Sequence, residues 1–186
     1  MRSRAVILSL GLLLLAGLAP SAADEPEKEE KFGLRAGEQT PFVVVDFAAG
    51  PFRRAGCPFV MIANHDKRGV VVLTNGKDAL AAAFDLVRAL DGPAVDGKKS
   101  EGYVVAFAGK AADFKDAAVK NFAVGVPRHT WEELGVPKDA DLIVVLVEGH
   151  KVKASWFLAA KGYKEKRDPI LKEAEKFARE APEKRD

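Results

Sequence analysis

Leu142-Ile-Val-Val-Leu-Val-Glu-Gly-His-Lys-Val-Lys-Ala-Ser-Trp-Phe-Leu158 is the stretch that decides the fold. Its first six residues are all apolar and four are β-branched, as expected of a strand covered on both faces. Glu148-Gly-His150 turns the chain. Val152, Ala154, Trp156 and Leu158 then alternate with Lys153 and Ser155, which predicts an antiparallel partner with one wetter face. Asp168 and Pro169 read as the cap and first position of a last helix, whose apolar face is Ile170, Ala174, Phe177 and Ala178. The chain therefore closes on a hairpin followed by a helix.

Upstream, strands alternate with helices. Val70-Val-Val-Leu73 is a buried strand, and Leu80, Ala83, Phe84, Val87 and Leu90 recur at helical spacing over Lys77–Leu90. Asp91-Gly-Pro93 stops that helix, Ala94–Gly102 reads as polar loop, and Tyr103–Phe107 is a second buried strand. Phe114, Ala118 and Phe122 predict a helix over Ala111–Ala123, and Thr130-Trp-Glu-Glu133 is a capping box ended by Gly135. Before all this stand a strand, Pro41–Phe47, an irregular stretch, Phe52–Cys57, a short apolar run, Pro58–Ala63, and a polar turn, Asn64–Gly69. This order implies an α/β domain with a parallel core, right-handed crossovers and an antiparallel edge.

The ends bound where the protein works. Arg2 and Arg4 precede fifteen apolar or small residues, Ala5–Ala19; Pro20 breaks the run and Ser21-Ala-Ala23 offers a cleavage site. Residues 1–23 read as a signal peptide, which predicts an exported protein, periplasmic or extracellular. Residues 24–33 are a charged, flexible leader, 34–180 the folded domain, and 181–186 a fraying tail. Of 29 basic and 27 acidic residues, cleavage removes Arg2 and Arg4, so the mature chain is formally neutral. That balance argues against nucleic acid as a partner, and nothing after Ala23 is long enough to hold the mature chain in a membrane. The chain has one cysteine, Cys57. A disulfide within the chain and a CxxC cycle are both excluded by that count.

Three stretches resemble the thioredoxin-like superfamily, above all its peroxiredoxin and thiol-peroxidase branch. Ala36–Gly50 is similar to that branch's opening, with a glycine, a proline before a strand and a turn glycine; Val70–Leu90 resembles its central strand and first helix. Gly135-Val-Pro137, Asp141–Val147 and Gly149-His-Lys-Val152 resemble its closing hairpin. The resemblance covers roughly residues 34–180 and implies a three-layer sandwich, a central mixed sheet flanked by helices. It also implies where chemistry should be. Thioredoxins place CxxC between the central strand and the next helix, where this chain has Leu73-Thr-Asn-Gly-Lys-Asp78. Peroxiredoxins use Pro-x-x-x-Thr/Ser-x-x-Cys; counted back from Cys57, the hydroxyl residue is Arg54 and the proline is Gly50. Only Cys57-Pro58 matches. Thioredoxins also put a cis-proline before the hairpin strand, and Pro137 is the residue nearest that place.

Cys57 and Arg54 are thus the candidate catalytic residues, with two roles open. Arg53 and Arg54 would favour a thiolate, the nucleophilic form. The apolar run that follows instead makes Cys57 a small core residue. Cys57, Met61 and His65 recur at intervals of four and would suit copper. Copper-handling proteins of this fold carry CxxxC, however, with a cysteine where Met61 stands. If Pro58–Ala63 is a strand, Cys57 and Met61 lie about 13 Å apart, too far to share an ion. His65 with Asp66 reads as a solvated turn before an acid–base pair, and His129 and His150 as surface residues. Asn75-Gly76-Lys77 looks like a phosphate-cradling turn but lacks P-loop glycine spacing. The leading expectation is an exported domain with a degenerate redox site, acting by binding or by single-thiol exchange. A one-cysteine thiol peroxidase and a copper-handling protein are the alternatives. No cofactor is expected; the expected partner is another exported protein or a small thiol.

Overall fold

The computed structural model describes residues 33–180, apart from 53, 109, 111–113 and 115–118. The stretch read as a signal peptide, nearly all of that read as a leader and that read as a C-terminal tail lie outside the described residues. Seven strands form one sheet: β1 (Val45–Ala49), β2 (Ala55–Gly56), β3 (Arg68–Thr74), β4 (Ser100–Ala106), β5 (Phe122–Pro127), β6 (Leu142–Glu148) and β7 (Lys151–Leu158). Their spatial order is β2-β1-β5-β4-β3-β6-β7. β3 pairs parallel with β4, and β4 with β5, while β6 and β7 continue the sheet antiparallel. The closing hairpin lies as its residue pattern predicts, with β6 buried throughout except Glu148.

Helices cover both faces, because each strand alternates its side chains across the sheet. Val70 and Val72 face α2 (Lys77–Leu90) and α3 (Tyr163–Arg179), packing with Ala83, Leu86, Leu90 and Ile170. Val71 and Leu73 face the opposite layer, which holds α1 (Pro58–Asn64) through Phe59 and Ile62, with Val43 and Trp131 beside them. The result is the three-layer sandwich, and the fold is thioredoxin-like.

Several local expectations are corrected. Pro58–Ala63 is helical, not extended: Pro58 sits at the first helical position, and Phe59, Ile62 and Ala63 are buried at helical spacing. The polar turn shrinks to His65-Asp-Lys67, because Asn64 ends α1 while Arg68 and Gly69 open β3. β4 begins at Ser100, inside the stretch read as loop. The helix over Ala111–Ala123 falls mostly on residues outside the description, and its last two, Phe122 and Ala123, belong to β5. That strand's alternation is masked because all of Phe122–Val124 is buried on both faces. Its glycine also fits tightly: a Cβ on Gly125 would meet the Asp46 carbonyl at 2.6 Å.

α3 starts at Tyr163, six residues before Pro169, which sits inside the helix. The extra length is anchored on α2. The Tyr163 hydroxyl donates to Asp85 Oδ2 at 3.0 Å, and Arg167 Nε to the same oxygen at 2.7 Å. Pro169 is on the exposed side, where water can serve the carbonyl it leaves unpaired. The capping box is present in part: Thr130 N–H donates to Glu133 Oε2 at 2.9 Å, ahead of a single turn, Glu132–Leu134, that Gly135 ends at φ 62°.

Candidate functional site

β3 has two ends, and they differ in chemistry. At its C-terminal end the chain passes through Asn75 and Gly76 into α2, the place where the resemblance puts a redox thiol. No sulfur is there. Gly76 has φ 110°, a conformation that only glycine adopts readily, and no side chain caps the helix. Asn75 N–H is spent on the Asp141 carbonyl at 2.8 Å, and Thr74 is fully buried with its hydroxyl unpartnered. Among the described residues no peptide bond is cis, so Pro137 is trans.

Cys57 lies elsewhere, directly before α1 and 5% exposed. Val43 N–H points at its Sγ at 3.4 Å, and Sγ lies 3.9 Å from the Pro41 carbonyl. Phe59, Ile62 and Val43 share its apolar cluster. Arg54, the other candidate, is exposed in the approach to β2 and makes no hydrogen bond or ion pair with Cys57. Arg53 is outside the described residues. Because α1 is a helix, the 13 Å separation does not apply: four residues rise only about 6 Å and stay on one face. The three soft side chains still do not converge. His65 is bound to Glu101, Cys57 to the Pro41–Val43 backbone, and Met61 Sδ lies beside Gly56. Among the described residues no three His, Cys, Asp or Glu side chains are placed to hold a metal.

At the N-terminal end of β3 stands a polar network that sequence reasoning passed over. Glu101, on β4, has a side chain only 4% exposed. It accepts from Lys67 Nζ at 2.8 Å and the Tyr103 hydroxyl at 2.6 Å, and it meets His65 Nδ1 at 2.8 Å. Burial pushes the Glu101 carboxyl up, but the bonds from Lys67, Tyr103 and His65 outweigh it and hold the group below its ordinary value. Tyr103 is driven the other way, by burial first and then by the carboxylate beside it. Phe52 stacks on both rings, 6.2 Å from His65 and 5.9 Å from Tyr103. The sequence reads His65 with Asp66 as a solvated turn; His65 is indeed exposed, yet its ring is held by a buried carboxylate 36 residues away. Glu101 carried no periodic signal, since it sits in a strand buried on both faces.

This network borders a cleft of about 740 Å³ between the turn His65–Arg68, the loop Gly92–Ser100 and the end of α3. Arg68 closes one wall. Its guanidinium lies 4.6 Å from the Phe177 ring centroid, bonds the carbonyls of Phe177 and Glu180, and meets Glu148 Oε1 at 3.0 Å.

No family model matches this chain, and no curated protein matches it in sequence. Solved structures do match in shape. A candidate protein disulfide isomerase from Bacteroides thetaiotaomicron is 12% identical with a TM-score of 0.52, over 79% of this chain and 92% of that one. The C-terminal domain of a candidate thiol-disulfide oxidoreductase from the same organism is 13% identical with a TM-score of 0.50, over 75% and 98%. A yeast mitochondrial 1-Cys peroxiredoxin is 14% identical with a TM-score of 0.49, over 68% of each chain. At these identities the likeness to the two Bacteroides structures speaks for the fold alone.

Proposed function

We propose that this chain is an exported thioredoxin-like protein that acts by binding rather than by thiol chemistry. One observation carries the reading: the β3–α2 junction holds no thiol, and the chain's single cysteine stands before α1, buried in an apolar cluster. A thiol must be reachable and ionised to exchange or to reduce peroxide. Cys57 is screened from solvent, and Arg54 does not engage it. The partner on this reading is another exported protein or a small molecule, and residues 1–23 supply the export signal.

The rival is a one-cysteine thiol peroxidase using Cys57. The Val43 N–H aimed at Sγ speaks for it, since it gives the sulfur a hydrogen-bond donor. Both readings meet in one measurement, alkylation of the native protein at pH 7. The binding reading expects slow labelling that accelerates only on denaturation, and no peroxide consumption with a small-thiol reductant. Fast native labelling, with peroxide turnover abolished by Cys57→Ser, establishes the peroxidase instead.

A further inference from the structure

We infer that the cleft at the N-terminal end of β3 is a binding site for a small phosphate monoester. The inference deepens the binding reading by naming a ligand class, and it rests on which charges in the cleft are spent and which are not.

Most of the polar groups lining the cleft are already engaged. Lys67 Nζ is held by Glu101 and donates to the Gly97 carbonyl at 3.1 Å. Arg68 is committed to Glu148 and to the end of α3. Arg179 meets Glu175 Oε2 at 3.1 Å. Asp96 Oδ1 accepts from the N–H groups of Lys98 and Lys99, both at 2.8 Å, and of Ser100 at 3.2 Å. Glu180 pairs loosely with Lys176, and Asp66, the third carboxylate on the lining, has an interaction of its own. The helix ends that abut the cleft are closed as well. Leu90's carbonyl accepts from Ala94 and Val95, and Arg68 takes the carbonyls at the end of α3. No lysine is therefore needed there as a helix cap.

Three groups are left over. Among the described residues Lys98 and Lys99 make no ion pair, and the His65 ring, held through Nδ1 on Glu101, lines the same cleft. Their placement is built. Lys67 joins the His65 turn to the Gly97 carbonyl, so it pins the lysine loop beside the histidine. Asp96 and Ser100 hold that loop's backbone, Ser100 Oγ donating to the Ala94 carbonyl at 2.7 Å. Two ammonium groups and an imidazole suit a compact oxyanion with several acceptor oxygens. The cleft exceeds what a bare ion fills, and Pro93, Ala94 and Ala178 offer apolar wall for the body of an ester.

The test uses the whole folded chain, with His65 ring and Lys98 and Lys99 amide resonances followed by NMR during titration with glucose 6-phosphate, inorganic phosphate and glucose. Saturable shifts at all three residues with glucose 6-phosphate are expected, inorganic phosphate binding more weakly and glucose not at all. Lys98→Ala/Lys99→Ala should weaken binding at least tenfold, Lys98→Arg/Lys99→Arg should restore it, and His65→Gln should weaken it severalfold. Lys98 and Lys99 are exposed, so their variants should leave the melting temperature where it is; His65→Gln also removes a bond to the buried Glu101, so a fall in its melting temperature is expected and its affinity is read well below that temperature. No saturation by 10 mM on the order-of-magnitude scale of a millimolar ligand, equal affinity in the alanine variant, or equal response to chloride at matched ionic strength would each overturn the assignment. Equal binding of phosphate and ester reassigns the site to a free oxyanion and overturns the ester. Cys57 alkylation is untouched by these variants, so the binding reading and the ligand assignment fail separately.

Discussion

Gly69→Ala tests the contact that seats α1 on the sheet. A Cβ built on Gly69 would meet Ile62 Cγ1 at 2.5 Å, with Cδ1 closer still and Cγ2 at 3.2 Å. Ile62 is fully buried in an apolar cluster that also holds Val71 and Tyr103, which leaves it little room to swing clear. Overpacking of this kind costs about 1–3 kcal/mol, and at roughly 2–4 °C per kcal/mol for a domain of this size the melting temperature should fall by several degrees. Ile62→Ala alone leaves a cavity and should cost about 2–5 kcal/mol. In the double variant the new methyl enters the space Ile62 vacated, so the cycle should show about 1 kcal/mol or more of favourable coupling. Thermal and urea unfolding of the four proteins measures this. Strict additivity would mean that α1 does not lie on Gly69, and with it would go the burial of Cys57 at one end of α1 and the placing of His65 at the other.

Thr74→Val should raise stability by about 1 kcal/mol, because it removes a buried hydroxyl with no partner at little change of shape; a loss on urea titration would mean that the hydroxyl is bound in solution. Glu101 is held below its ordinary value of 4.5, so it stabilises the fold above that pH and the contribution drains away as pH falls through the lower folded value. The urea midpoint should therefore drop between pH 5 and pH 3 more steeply in the wild type than in Glu101→Gln, and parallel curves would refute the sign. Val145→Asp, placing a charge in a fully buried strand paired on both sides, should abolish folding, as seen by the loss of a cooperative melt.

What the residues disclosed, and what they hid, follows from periodicity. β3, β6 and α2 could be read because one pattern filled each whole element, and the hairpin with its closing helix set the fold class. α1 was obscured by brevity: seven residues with Phe59, Ile62 and Ala63 buried look the same as a short strand until a proline at the first position is weighed. β5 was absorbed into a helix because Phe114, Ala118 and Phe122 keep a spacing of four across the boundary. The absent thiol at Thr74–Lys77 and the isolation of Cys57 were legible as simple positions. The Glu101 network was not, because it joins His65, Lys67 and Glu101 through strand pairing, and a charge inside a strand has no local signature. Only the run Ser100-Glu-Gly-Tyr103 entering an apolar strand hinted that a carboxylate was going inside.

The strand pairing also dictates an order of events when the chain is made. β3 can join β4 once residue 106 exists, yet its other edge waits for β6, some seventy residues downstream. The segment before β1 waits longer still: Gly37 N–H bonds the Val152 carbonyl and Val152 N–H the Glu38 carbonyl, so one of the earliest described stretches closes onto the last strand. Pairings so distant in sequence are slow, and none can form while the hairpin is still unsynthesised. A nascent chain of this topology stays open until β6 and β7 have been made, and on the proposed export that open state is the one a translocation channel accepts.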